Sequence, residues 1–77
     1  MIPLNAKQQA ELEHDVRRDI LDFLKRYDKP ASLGEIGEGI ELPDLAIVFY
    51  HLQRLVTVEL VEKVWGTERY RVTEAGS

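Results

Sequence analysis

Cysteine is absent from the 77 residues. That excludes a disulfide framework, a thiolate metal site and a thiol redox switch, and it suits a cytoplasmic location. Long apolar runs are absent too. The longest unbroken one, Leu45 to Tyr50, is far too short to span a membrane. The opening Met1-Ile2-Pro3-Leu4 lacks the basic start and extended apolar stretch of a secretion signal. A basic excess is also missing: ten Lys and Arg stand against 14 Asp and Glu, a formal net charge of −4. Such a balance works against indiscriminate attraction to a phosphate backbone. The acid is unevenly spread. Residues 1–44 hold six basic and ten acidic side chains, whereas residues 45–73 hold four basic and three acidic ones, which leaves a weak basic edge on the second part.

What is present describes an ordinary folded chain. With 44% hydrophobic and 31% charged residues, disorder is confined to the ends. The length allows one domain with a small core. A single domain over 1–77 is therefore expected, with 1–5 frayed and 74–77 beginning a short or truncated C-terminal segment.

Asn5 and Gln8 have the spacing of a capping box. From there Leu12, Val16, Ile20, Phe23, Leu24 and Tyr27 recur at steps of three and four, which predicts one long amphipathic helix ended by Asp28-Lys29-Pro30. Ser32 and Glu35 form a second capping box before a short helix that Gly37 and Gly39 are expected to stop. A third helix is expected from Pro43 to about residue 56. On it Leu45, Val48, Leu52 and Leu55 fall on an inner face. Ala46, Tyr50, Gln53 and Thr57 point the opposite way, with Phe49 and Ile47 on the flanks. Three such helices joined by short turns form a helix-turn-helix arrangement.

Next comes "LVEKVWGTERYRV", Leu60 to Val72, a β-rich run interrupted at Gly66-Thr67. A two-residue loop with glycine first predicts a type II′ hairpin turn. The implied register sets Val61 against Val72, Glu62 against Arg71, Lys63 against Tyr70 and Val64 against Arg69. Val61, Tyr70 and Val72 then share the face that lies on the helices. Thr73 to Gly76 could begin a further helix. The fold class is therefore α+β: three helices followed by a two-stranded wing, the order of a winged helix-turn-helix domain.

The residues that carry this order resemble a known family. "DVRRDILDFLKR", "ASLGEIGEGI" and "IVFYHLQRLVTVELVEKVWGTERYRVTEAG" are similar to the ArsR-type winged-helix transcriptional regulators, and more loosely to the MarR-type. The resemblance covers about residues 15–76. It implies that the third helix enters the major groove of double-stranded DNA and that the wing reaches the backbone. Carried over by position, the groove-facing set is Ala46, Ile47, Phe49, Tyr50 and Gln53. Arg54 lies beside them near phosphates, Lys63, Arg69 and Arg71 lie on the wing, and Ser32 sits at a helix N-cap close to a phosphate.

The chain departs from the family in three places. Ala46 and Phe49 replace small polar residues, so Gln53 is the one clean reader of base edges. Glu59 stands where the family tends to have glycine. Either that turn has another geometry, or Glu59 is left-handed at a cost of roughly 1 kcal/mol or more. Family members often dimerise through flanking helices. Here the front helix is present and the chain ends where a rear one would begin, as in an excised domain or a minimal relative. A homodimer through the first helix, using Leu21 and Ile2, is the corresponding expectation.

Other residues have structural as well as functional readings. His51 could meet a phosphate, but its position favours packing half-buried under the wing. His14 with Glu11, Glu13, Asp15 and Asp19 could hold an ion, yet a solvated acidic face is the simpler account, and no metal or other cofactor is expected. Arg71 has Glu62 opposite it. Arg69 faces Val64 and is left without such a partner, which makes it the better wing contact. Trp65 either stacks on a partner or covers the hairpin backbone. No glycine-rich phosphate cradle or nucleophile arrangement is present, so an enzyme is not expected. Two functions remain. One is a DNA-binding transcriptional regulator. The other is a winged helix that docks a protein partner through Ile47, Phe49 and Tyr50, the kind of cluster that anchors protein interfaces.

Overall fold

A computed structural model describes residues 3–12 and 14–76. Met1, Ile2, Glu13 and Ser77 lie outside the described residues, and with them the parts expected of Ile2 in a dimer and of Glu13 in an acidic cluster. Helix α1, Ala6–Glu11, opens on the expected capping box: the Asn5 side chain accepts from Gln8 N–H at 2.9 Å, and the Gln8 side chain accepts from Asn5 N–H at 3.0 Å. The single long helix expected from Asn5 to Tyr27 is instead two helices. His14 turns extended and caps α2, Asp15–Tyr27, with its Nδ1 accepting from Val16 N–H at 3.2 Å. No proline or glycine marks the break. Arginines from α2 reach back to the carbonyls freed there, Arg18 Nε to Leu12 O at 3.1 Å and Arg17 to Glu11 O at 3.5 Å. The hydrophobic period runs through the break, because Leu12 and Val16 both still pack on the core.

Ile20, Leu21 and Leu24 of α2 are buried. Leu21 therefore belongs to the monomer's own core and is not available to a dimer. Asp28 takes a left-handed conformation and ends α2 before Pro30. Strand β1, Ala31–Ser32, leads into α3, Leu33–Gly39, with the Ser32–Glu35 capping box formed as expected. Gly37 lies within this helix, which ends at Gly39 as expected. At Gly37 the chain packs closely, since a Cβ there would meet the Leu45 side chain and lie 3.1 Å from the backbone oxygen of Leu42.

Helix α4 runs Leu45–Thr57; it starts two residues later than expected and ends within one residue of the expected end. Asp44 caps it, accepting from Ala46 N–H at 3.0 Å and Ile47 N–H at 3.3 Å, and Pro43 stays outside. Val48, Leu52 and Leu55 are wholly enclosed, each worth about 1.5–3 kcal/mol of apolar burial. Leu45, expected beside them, is 42% exposed at the first turn. The helix ends in a Schellman motif: Glu59 N–H donates to Val56 O and Leu60 N–H to Leu55 O, both at 3.0 Å. Glu59 accordingly has φ 63°, so the left-handed alternative is the one adopted.

Strands β2, Val61–Lys63, and β3, Arg69–Val72, pair in the expected register. Val61 and Tyr70 are buried against the helices. The turn differs from the type II′ expectation. Thr67 N–H donates to Val64 O at 3.1 Å, and Gly66, at φ 80°, occupies the third position of that turn. The Thr67 hydroxyl donates to Val64 O and accepts from Arg69 N–H, which holds a four-residue loop in place of a two-residue one. Strand β1 adds a third strand on the far side of β3, giving the antiparallel order β1-β3-β2. Residues 74–76 form a turn and not the start of a helix. The architecture is that of a winged helix-turn-helix, with α1 as an addition at the front. Among the described residues no helix is long and apolar enough to cross a membrane.

Candidate functional site

Packing through Val48, Leu52 and Leu55 fixes the rotation of α4 and leaves its other side outward. Ala46, Ile47, Phe49 and Tyr50 are all exposed, Phe49 at 44% and Tyr50 at 56%, and Gln53 is partly so. The outward set thus matches the positions expected from the sequence. Its chemistry is apolar and aromatic with a single amide.

Arg54, one helical turn beyond Tyr50, is already engaged. Its Nε and a terminal nitrogen donate to the two carboxylate oxygens of Glu11, at 2.9 and 3.0 Å. Arg17 adds a third contact to Glu11 at 2.8 Å. Glu11 was expected on a solvated acidic face. It is instead 8% exposed between two guanidinium groups. The hydrogen bond from Arg54 holds its carboxyl below the usual range against the opposing effect of burial, with the charge of Arg17 assisting. The same hydrogen bond raises the pKa of Arg54.

Next to this pair His51 is buried, but against α2 and not under the wing. Its Nδ1 accepts from Arg17 Nε at 3.1 Å, and its ring lies 4.2 Å from that of His14 and edge-on to Tyr50. An accepting Nδ1 requires the neutral ring with its proton on Nε2. Burial first, then the charges of His14 and Arg17, lower its pKa.

On the wing every cation has an acidic neighbour. Lys63 lies 3.4 Å from Glu68, and Arg71 lies 2.8 Å from Glu62 as the register implied. Arg69, expected to lack a partner, donates to Glu35 at 2.6 Å and to Pro30 O at 3.3 Å. Pairing of β1 with β3 sets Ser32 opposite Arg69 and so brings the start of α3 to this arginine. Glu35 also accepts from Ser32 N–H and the Tyr27 hydroxyl. Those bonds, with the one from Arg69, bring its pKa down to about 2. In return the Glu35 carboxylate raises the pKa of Tyr27. Ser32 spends its own hydroxyl on Glu35 N–H. These wing pairs are largely exposed, and such pairs exchange readily for other ions. Trp65 is 96% exposed and covers no backbone, which removes that alternative.

Sequence reasoning missed both arginine–carboxylate pairs that reach across the fold. Glu11 and Arg54 are 43 residues apart and share no local pattern. Glu35 was already assigned to its capping box. A hollow of about 620 Å³ is lined by Asp19, Asp22, Lys25, Arg26, Gly39, Ile40 and Glu41, residues of α2 and the end of α3, and includes none of the outward α4 set. Among the described residues no group of three His, Cys, Asp or Glu could hold a metal ion.

A family model described as a helix-turn-helix domain matches residues 12–64. That span takes in α2, α3, α4 and β2 and leaves out α1. No curated protein and no solved structure matches the chain.

Proposed function

The chain belongs to the helix-turn-helix domain family, and from that premise we propose that it is a sequence-selective, ArsR-like transcriptional regulator of the cytoplasm. It lays α4 in the major groove of duplex DNA and sets its wing on the backbone. Ala46, Ile47, Phe49, Tyr50 and Gln53 face base edges. Arg54, Lys63, Arg69, Arg71 and the N-cap at Ser32 meet phosphates. It acts as a dimer on a two-fold site, with the front helices as the contact and Leu21 excluded from it. The observation that carries this reading is the uncovered outer side of α4 beside a wing whose cations all lie near the surface. Phosphate contacts place such a domain, and side chains on the helix select the bases. The test is an amide-resolved NMR titration with a mixed-sequence duplex at low and then physiological salt. Shifts over residues 44–54 and 63–71 that fade with salt are expected. Silence at low salt would remove the proposal.

The alternative is a protein-docking winged helix. It is favoured by the aromatic exposure at Phe49, Tyr50 and Trp65 together with the neutralised wing. Phe49→Ser should then abolish self-association or partner binding and leave the fold intact. Unchanged association in that variant would exclude this docking face.

A further inference from the structure

Glu11 occupies a place built for an anion. Three guanidinium N–H groups, two from Arg54 and one from Arg17, converge on its carboxylate at 2.8 to 3.0 Å. Arg17 is itself held in direction by His51. Paired N–H groups of this kind fit a phosphate as well as a carboxylate. The carboxylate is delivered by α1, which has six residues, lies outside the matched span of the family and is too short to persist as a helix unsupported. A further polar tether runs from Gln8 Nε2 to the O of Val58, the residue that caps the end of α4, at 2.9 Å. Arg54 shares its side of α4 with Tyr50 and Ile47, four and seven residues earlier, so this anion place borders the outward face.

We propose that Arg17 and Arg54 form a phosphate-binding site that the chain masks with its own Glu11, and that α1 is a strap which a phosphate displaces. The source of that phosphate, a DNA backbone or the free ion, is the part that rests on the DNA-binding reading. In the strapped state Arg54 contributes little to a duplex. Once Glu11 leaves, both arginines add phosphate contacts.

The experiment measures duplex affinity by fluorescence anisotropy for the full chain, for Glu11→Gln, for Glu11→Gln with Arg54→Gln, and for Asp22→Asn. The last makes the same charge change on the exposed side of α2. Glu11→Gln is expected to bind tighter than both the wild type and Asp22→Asn. Its plot of log affinity against log salt should steepen by about 0.9 for each phosphate gained. The double variant should lose that gain. Inorganic phosphate alone, added to Glu11→Gln, should shift the Arg17 and Arg54 Nε–Hε resonances if the free ion suffices. A response to duplex only would assign the site to a DNA backbone.

A folded Glu11→Gln that binds no tighter than Asp22→Asn and is not shifted by phosphate would overturn the proposal. Should no protein in the set bind a duplex while phosphate still moves both arginines, the site stands and the DNA-binding reading fails. If Glu11→Gln does not fold, the Arg54 Nε–Hε resonance of the wild type is followed during duplex titration. A shift supports displacement of Glu11, and an unmoved resonance in a saturated complex refutes it.

Discussion

The inner and outer faces of α4 carry similar side chains under opposite conditions. Val48, Leu52 and Leu55 are sealed against α2, α3 and the sheet, whereas Ile47, Phe49 and Tyr50, one to three residues away, stand in solvent. The fold needs the first set. The second set lies outside that core, with Tyr50 edge-on to His51. On the reading proposed above, this outer face is the surface that meets the ligand. The exposed apolar patch and the wing, whose cations are each paired with a carboxylate at the surface, are the two features that the proposed DNA reading draws on.

The largest separation between the faces should appear in stability. Leu52→Ala is expected to cost about 2–5 kcal/mol through lost burial and a cavity, while Phe49→Ala should stay within about 0.5–1 kcal/mol, as exposed substitutions do. Urea unfolding of both variants measures the gap, and equal losses would mean that Phe49 has a structural role after all. The next effect lies in binding. Gln53→Ala should lower discrimination between duplex sequences by about 1–3 kcal/mol. Arg69→Ala should instead weaken all sequences alike and reduce the salt slope by about 1. Competition assays with related duplexes, repeated across salt, distinguish these outcomes. Identical behaviour of the two variants would undo the division of labour between helix and wing.

A smaller effect concerns acid. His51 has a lowered folded-state pKa, so the folded state binds fewer protons than the unfolded one. Its contribution is complete above the unfolded value near 6.5 and is lost as pH falls below it. Glu35, lowered to about 2, acts in a separate window. Its contribution is present above the ordinary carboxylate value and declines as pH falls from there towards about 2. Melting temperatures across pH should therefore show two acid losses. His51→Gln should flatten the upper one and Glu35→Gln the lower. A pH profile unaltered by either change would show that neither group is linked to folding. The smallest change expected is a gain of about 1 kcal/mol or less for Glu59→Gly, which relieves a left-handed glutamate but frees the unfolded chain. Thermal melts suffice to measure it.

Local chemistry made much of this molecule legible. Both capping boxes were readable because donor and acceptor lie three residues apart, and the hairpin register was read from a loop centred on Gly66-Thr67, a centre that holds although the turn itself has another geometry. The break at His14 was not, since the apolar spacing continues unbroken across it while the backbone does not. Strand β1 has two residues, too few to show alternation, and it exists because β3 offers an edge to Ala31 and Ser32. The outer face of α4 was placed correctly from helical spacing alone. The engagement of Arg54 and Arg69 was not foreseen, because each is met by a carboxylate more than 30 positions distant.

Trp65 is the single tryptophan of the chain and stands 96% exposed at the tip of the wing. Its indole is in water before unfolding and in water afterwards. Intrinsic tryptophan emission should therefore barely register denaturation of this domain, and a flat trace in urea would not signify a protein that fails to fold. The same insensitivity makes the signal clean for another purpose. Any quenching or blue shift seen when a ligand is added would arise at the wing tip itself, with no contribution from the core, so the chain comes supplied with an optical reporter of whether that loop is occupied.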